Sequence, residues 1–237
     1  MSTIATNIAK VRTRIREAAQ AVARDPDEVQ LLAVSKTQSA GAIRAASEAG
    51  LRDFGENYLQ EALEKQAELT DLPLFWHFIG PIQSNKTKLI AEHFDWVHSV
   101  DRLKIAQRLS DQRPGHLAPL NICLQVNVSG EASKSGCEPQ EVYELAHAIT
   151  ALPRLRLRGL MAIPEPTDDP AEQRAAFARL RHLQTELQLD LDTLSMGMSQ
   201  DLEAAIAEGA TWVRIGTALF GARAYRSQTA TDAPTHE

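Results

Sequence analysis

The chain of 237 residues and 26.1 kDa is 43% apolar and 24% charged, the balance of a soluble globular domain. Twelve glycines and eleven prolines exclude a collagen-like or low-complexity chain. A formal charge of −6 and a pI near 5.7 argue against the basic surface that a nucleic-acid footprint needs. Ile4, Ile8, Val11, Ile15 and Val22 recur at helical spacing and predict an opening helix. Lys10, Arg12, Arg14 and Arg16 could imitate a transit peptide, but Glu17 and Asp25 follow closely, so they are read as a solvated basic face. Short β-type runs then alternate with longer amphipathic stretches. Val29–Val34 is a strand, followed by a helix from Ser39 to Ala49 that Gly50 closes, and Asp53–Gly55 is a second strand with a helix to about Leu69. Leu74–Ile79 and Trp96–Val100 are the third and fourth strands, followed by helices over Gln83–His93 and Arg102–Gln112. Leu120–Val128 is the fifth, with Pro139 opening the next helix where a missing N–H is harmless. Leu155–Ile163, Thr193–Met196 and Trp212–Ile215 complete the set, separated by helices over Pro170–Gln188 and Asp201–Glu208.

Strands that alternate with helices imply a parallel sheet. Eight such units in a chain of this size match a (β/α)₈ TIM barrel of about 250 residues, with a doubly wound open sheet as the rival. Composition does not shift before Arg226, so residues 1–226 are expected to form one barrel domain with its N-terminal helix, and 227–237 a mobile polar tail. Cys123, in the apolar run Ile122-Cys123-Leu124, is a core residue, and Cys137 a free thiol. Two cysteines make neither a disulfide framework nor a zinc site. No apolar run reaches the roughly 18 residues of a membrane span, and the chain is expected to be cytoplasmic, with no membrane partner.

A barrel carries its active site at the C-terminal ends of its strands. Lys36 stands there, after the first apolar run, where partial desolvation would lower its pKa and favour the neutral amine of Schiff-base chemistry. Gly216 and Thr217 follow the last strand and open a helical turn whose N–H groups suit an anion, and Ser199 could add a hydroxyl or merely cap the helix containing Leu202. Together they suggest a phosphorylated aldehyde held at both ends. Arg214, if inward, must find an acceptor: a carboxylate such as Glu56 or Asp53, or a ligand ring nitrogen. His77, between Trp76 and Phe78, is read as a hydrogen-bonded core histidine, and no histidines show metal-ligand spacing. The segment Glu131–Gly136 lacks Walker spacing and is rejected as a nucleotide loop. Gln83–Lys86 is taken as a helix cap with an exposed lysine.

Several blocks in order carry a resemblance: Leu32–Thr37, Phe54–Tyr58, His77–Lys86, Gln125–Val128, Gly159–Met161, Ser195–Asp201 and Val213–Thr217. Over about Ile4 to Ala224 the chain resembles the pyridoxal 5′-phosphate (PLP) homeostasis family, whose fold resembles the alanine racemase barrel domain, the fold type III PLP barrel. The resemblance implies that Lys36 carries PLP as a Schiff base and that Ser199, Gly216 and Thr217 hold the phosphate. Arg214 would face the pyridine nitrogen, and Asn57 would line the pocket. An arginine there disfavours ring protonation and weakens the ring as an electron sink. The chain ends soon after the barrel, so the β domain that completes a racemase site is expected to be missing. The function implied is PLP binding in intracellular vitamin B6 and amino-acid homeostasis, without robust turnover. Apoenzymes that use PLP are the partner class in view, and a monomer is expected. An amino-acid racemase or decarboxylase is the alternative; a Schiff-base aldolase acting on phosphosugars is a weaker third.

Overall fold

A computed structural model of the chain describes residues 3–130 and 135–221. Helix α1 (Thr3–Ala21) leads into β1 (Gln30–Val34), α2 (Ala40–Glu48), β2 (Asp53–Glu56), α3 (Leu59–Glu68), β3 (Phe75–Phe78), α4 (Thr87–His93) and β4 (Trp96–Val100). The second half runs α5 (Leu103–Gln112), β5 (Leu120–Gln125), α6 (Val142–Thr150), β6 (Leu155–Met161), α7 (Pro170–Glu186), β7 (Thr193–Ser195), α8 (Leu202–Ala207), β8 (Trp212–Ile215) and α9 (Thr217–Phe220). All strand pairs are parallel, and β1 pairs with both β2 and β8. The sheet therefore closes on itself in chain order, and the open-sheet rival is excluded. Glu131 to Lys134 of the rejected nucleotide loop, and everything from residue 222, including the expected tail, lie outside the described residues.

Local chemistry accounts for most boundaries. Ser39 Oγ accepts from Ala42 N at 3.2 Å and caps α2, and Asp169 accepts from Ala171 N at 2.8 Å, with Pro170 opening α7. Five strands, β1, β3, β5, β6 and β7, are shorter than expected, and the ends of β5 and β7 have a visible cause. After Gln125 the ladder gives way to the returning loop: Cys137 N donates to Gln125 O, and Asn127 N donates to Cys137 O. β7 stops at Ser195 because Gly197 turns the chain at φ 95°, where a Cβ would also sit 2.5 Å from the Cβ of Ala205.

Side chains alternate across each strand. Phe54, Phe78, Val97, Leu124, Leu160, Val213 and Ile215 point outward into one continuous core shared with the helices. Fully burying a side chain such as Phe54 is worth about 1.5–3 kcal/mol. The interior of the barrel is different. Trp96, Cys123 and Met161 form a separate small apolar group, and His77, His98, Ser195 and Arg214 are buried beside it. Branched aliphatics usually fill this space; here histidines, a serine and an arginine do.

Candidate cofactor site

Barrel closure brings the sequence-predicted residues to one arc of the rim. Lys36 follows β1, Asn57 follows β2, Ser199 follows β7, Gly216 and Thr217 follow β8, and Arg214 lies within β8. These four strands are consecutive around the barrel, across its closing seam. The register pairs Ala33 with Ile215, and an added Cβ on Gly216 would meet Val34 O at 3.2 Å. The glycine turn thus lies against the strand end that carries Lys36, although 180 residues separate them. Arg214 N donates to Gly197 O at 2.9 Å and ties β8 to the loop bearing Ser199. Ser199 does not cap α8; Asp201 occupies the cap position, and its carboxylate accepts from Met198 N.

Lys36 is half-buried at the start of a strained turn, since Thr37 has φ 65°. A buried lysine holds this turn: Lys65 Nζ donates to Ser35 O and to Glu56 Oε1, both at 2.8 Å, and also to Glu61. Glu61 in turn accepts from Thr37 N at 2.6 Å. Burial pushes the Glu56 carboxyl above the usual carboxylate range, although Lys65 opposes the shift.

Asn57 owes its place to a glycine just past the end of the neighbouring strand β3. A Cβ at Gly80 would stand 2.3 Å from Asn57 O, so only glycine admits this approach. Asn57 Oδ1 is buried and lacks any hydrogen-bond partner. A native protein seldom leaves such an acceptor orphaned, and a ligand donor at the rim would satisfy it.

Arg214 is 4% exposed and donates to Ser195 Oγ and to Ala162 O, each at 2.9 Å. Neither expected carboxylate contacts it. Glu56 is engaged with Lys65 and Ser35, and Asp53 with His77. Burial pulls the Arg214 pKa down to about 10, with Asp201 opposing, which still leaves a cation at neutral pH. Two of its five N–H groups are committed, so others can meet a ligand.

Helix α1 is more than a solvated basic face. Arg14 pairs with Glu203 and donates to Ser199 O at 2.6 Å, while Asn7 Nδ2 donates to Leu219 O at 3.0 Å. The helix therefore braces both halves of the Ser199/Gly216/Thr217 cradle. Arg14→Ala is expected to weaken binding of a phosphorylated aldehyde at this cradle by roughly tenfold, about 1.4 kcal/mol, in a fluorescence titration. An unchanged affinity would remove this role from α1.

Cys123 and Cys137 are both buried free thiols, as expected of Cys123, and burial pushes the Cys137 pKa up to about 12. Among the described residues no three His, Cys, Asp or Glu side chains converge as metal ligands, and no helix is long and apolar enough to cross a membrane. Sequence reasoning overlooked Arg14, Glu61, Lys65 and His98. The four-residue spacing of Glu61 and Lys65 was a usable signal for their pairing; nothing local pointed Lys65 at the Lys36 turn.

Fold and site together define a closed parallel barrel with a lysine at one strand end beside a glycine turn. The model of the alanine racemase N-terminal domain matches residues 6–224. The chain is 77% identical over 225 residues to a pyridoxal phosphate homeostasis protein of Pseudomonas aeruginosa, covering 95% of this chain and 98% of that one. It is 54% identical over 235 residues to the protein of that name from Escherichia coli, covering 95% and 99%. The solved structure of PipY of Synechococcus elongatus with PLP bound superposes with a TM-score of 0.82 at 44% identity, covering 92% of this chain and 100% of that one. An alanine racemase of Corynebacterium glutamicum shares the fold at 17% identity and TM-score 0.68; the match covers 92% of this chain and 61% of that one. The chain belongs to the pyridoxal phosphate homeostasis protein family.

Proposed function

We propose that this chain binds pyridoxal 5′-phosphate at the β7–β8–β1–β2 rim and acts in the homeostasis of that cofactor rather than as an enzyme of high turnover. The observation that carries the reading is the convergence of Lys36, Asn57, Ser199, Arg214, Gly216 and Thr217 on four adjacent strands. The orphaned Asn57 Oδ1 beside them fits a site built for a ligand. The names of the relatives and the PLP in PipY support the same cofactor.

In this reading Lys36 holds the aldehyde end as an imine, with loss of one water. Ser199, Gly216 and Thr217 take the phosphate through a hydroxyl and backbone N–H groups, which suit an anion at a strand-to-helix junction. Asn57 lines the pocket, and Arg214 faces the ring nitrogen with its uncommitted N–H groups. Bound PLP supplies a reactive aldehyde and a ring able to accept electrons. Arg214 limits the second property, because a fixed cation that only donates hydrogen bonds disfavours a protonated ring nitrogen. The finer reading is a cytoplasmic monomer whose PLP-binding unit spans residues 1–226 and exchanges cofactor with PLP-dependent apoenzymes.

The test is the absorbance spectrum of the purified protein before and after borohydride reduction, followed by peptide mapping. A visible band that reduction abolishes, with the label on the Lys36 peptide, is the expected result. A colourless protein that takes up no PLP overturns the reading. Amino-acid turnover that disappears in Lys36→Ala would overturn the non-catalytic part and favour a racemase or decarboxylase.

A further inference from the structure

Four hydrogen bonds run end to end through the barrel interior. Arg214 Nη1 lies 2.9 Å from Ser195 Oγ, Ser195 Oγ lies 2.7 Å from His98 Nδ1, His98 Nε2 lies 2.9 Å from His77 Nδ1, and His77 Nε2 lies 3.0 Å from Asp53 Oδ1. Ser195, His98 and His77 are fully buried. Asp53 opens β2 and reaches a cavity at the opposite mouth, lined also by Arg12, Arg16 and Arg52.

The chemistry of the two ends dictates the direction of the chain. A guanidinium only donates and a carboxylate only accepts. With neutral rings, one assignment satisfies all four links: Arg214 donates to Ser195, the Ser195 hydroxyl donates to His98 Nδ1, His98 Nε2–H donates to His77 Nδ1, and His77 Nε2–H donates to Asp53. Moving the ring protons to Nδ1 would set a bare His77 Nε2 against the carboxylate. Adding a proton to His77 would place a second cation in the interior that already holds Arg214, and would turn the Ser195 hydroxyl away from His98. Burial, with His77 and Arg214 adding, holds the His98 pKa well below the usual imidazole range. His77 is stacked on Trp96 with ring centroids 5.5 Å apart and planes 5° from parallel, and Trp212 also contacts it. Neither ring has room to turn out of line.

We infer that Ser195, His98 and His77 are positioning residues for the cofactor ring: they form a one-directional hydrogen-bond chain that joins Arg214 to Asp53 across the barrel and keeps the remaining guanidinium N–H groups aimed at the ring nitrogen. This rests on the reading of Arg214 given under Proposed function. The chain also places the charge of Asp53 in line with that of Arg214 without direct contact, in an interior where an unlinked cation would be costly.

Two measurements test the inference. In ¹⁵N-labelled protein as purified, long-range imidazole spectra at pH 7 are expected to show His98 and His77 both neutral and both carrying the proton on Nε2. An Nδ1–H tautomer or an imidazolium at either ring overturns the directed chain, whether or not PLP is bound. In the PLP-loaded protein, Ser195→Ala is expected to keep the imine on Lys36 but to shift the visible band and weaken binding roughly five- to tenfold, and Ser195→Thr, which restores a hydroxyl, to recover both. A folded Ser195→Ala protein with the wild-type band and affinity overturns the positioning role. If Ser195→Ala does not fold, the tautomer measurement on the wild type decides. Absence of any visible band in the wild type overturns instead the cofactor reading, and the tautomers still judge the chain.

Discussion

Lys36→Ala is expected to eliminate the visible band and borohydride labelling of the protein while leaving its fold intact. Lys36 is half-buried at the rim, and its loss removes no part of the continuous outer core. In the proposed site the imine would be lost while the Ser199/Gly216/Thr217 cradle and Arg214 remained, so non-covalent binding of PLP should persist at roughly a hundredfold weaker affinity or worse. Equilibrium dialysis with PLP, alongside a thermal melt within a degree or two of wild type, checks both halves. Retention of the band in Lys36→Ala would assign the carrier to another lysine and sink the site as drawn.

The second large effect lies one layer behind that lysine. Lys65→Met is expected to destabilise the protein by about 3–5 kcal/mol at neutral pH, because it strands the buried Glu56 charge. That is a large share of a typical domain stability of about 5–15 kcal/mol. The pH dependence follows from the direction of the Glu56 shift. Its folded pKa is raised by burial, and Lys65 is the main group opposing that; without Lys65 it rises further. A carboxyl with a raised folded pKa contributes stability that is complete below its unfolded pKa and lost as pH rises through the folded one. The cost of Lys65→Met should therefore be smaller at pH 5 than at pH 8 in urea denaturation. A cost independent of pH would show that Glu56 is not the group left stranded. The variant should also loosen the turn at Lys36, since Lys65 holds Ser35 O directly and Thr37 N through Glu61.

Glycine variants separate the rim from the barrel wall. Gly80→Ala would force its Cβ against Asn57 O at 2.3 Å, and backbone cannot yield as a flexible side chain does. The strand end must move, carrying Asn57 with it, so weaker PLP binding is expected together with a lower melting temperature. A variant with wild-type affinity would remove Asn57 from the pocket.

Some of this was legible along the chain because it is local. The apolar run Leu31–Val34 followed by Lys36, the helix that Gly50 closes, the helix that Pro170 opens, and the eight alternations of strand and helix each depend on neighbours a few residues away. β4 and β8 have the bounds that their residue types predict. Elsewhere, ends shifted where a distant segment supplied the hydrogen bonds, as Cys137 does for the chain leaving β5.

By itself the sequence determined the order of elements, the rim lysine and the glycine turn, since propensity, capping and a residue's place at a strand end are short-range matters. Tertiary structure alone decided closure, because β1 had to meet β8 to put Val34 against Gly216. It alone decided who partners whom inside: His77, Ser195 and Arg214 each sit between apolar neighbours and His98 between Val97 and Ser99, a pattern that says at most that they face the other way. Strand stagger around the barrel turned those four inward positions into one connected line, and stagger is set by the pairing of all eight strands at once.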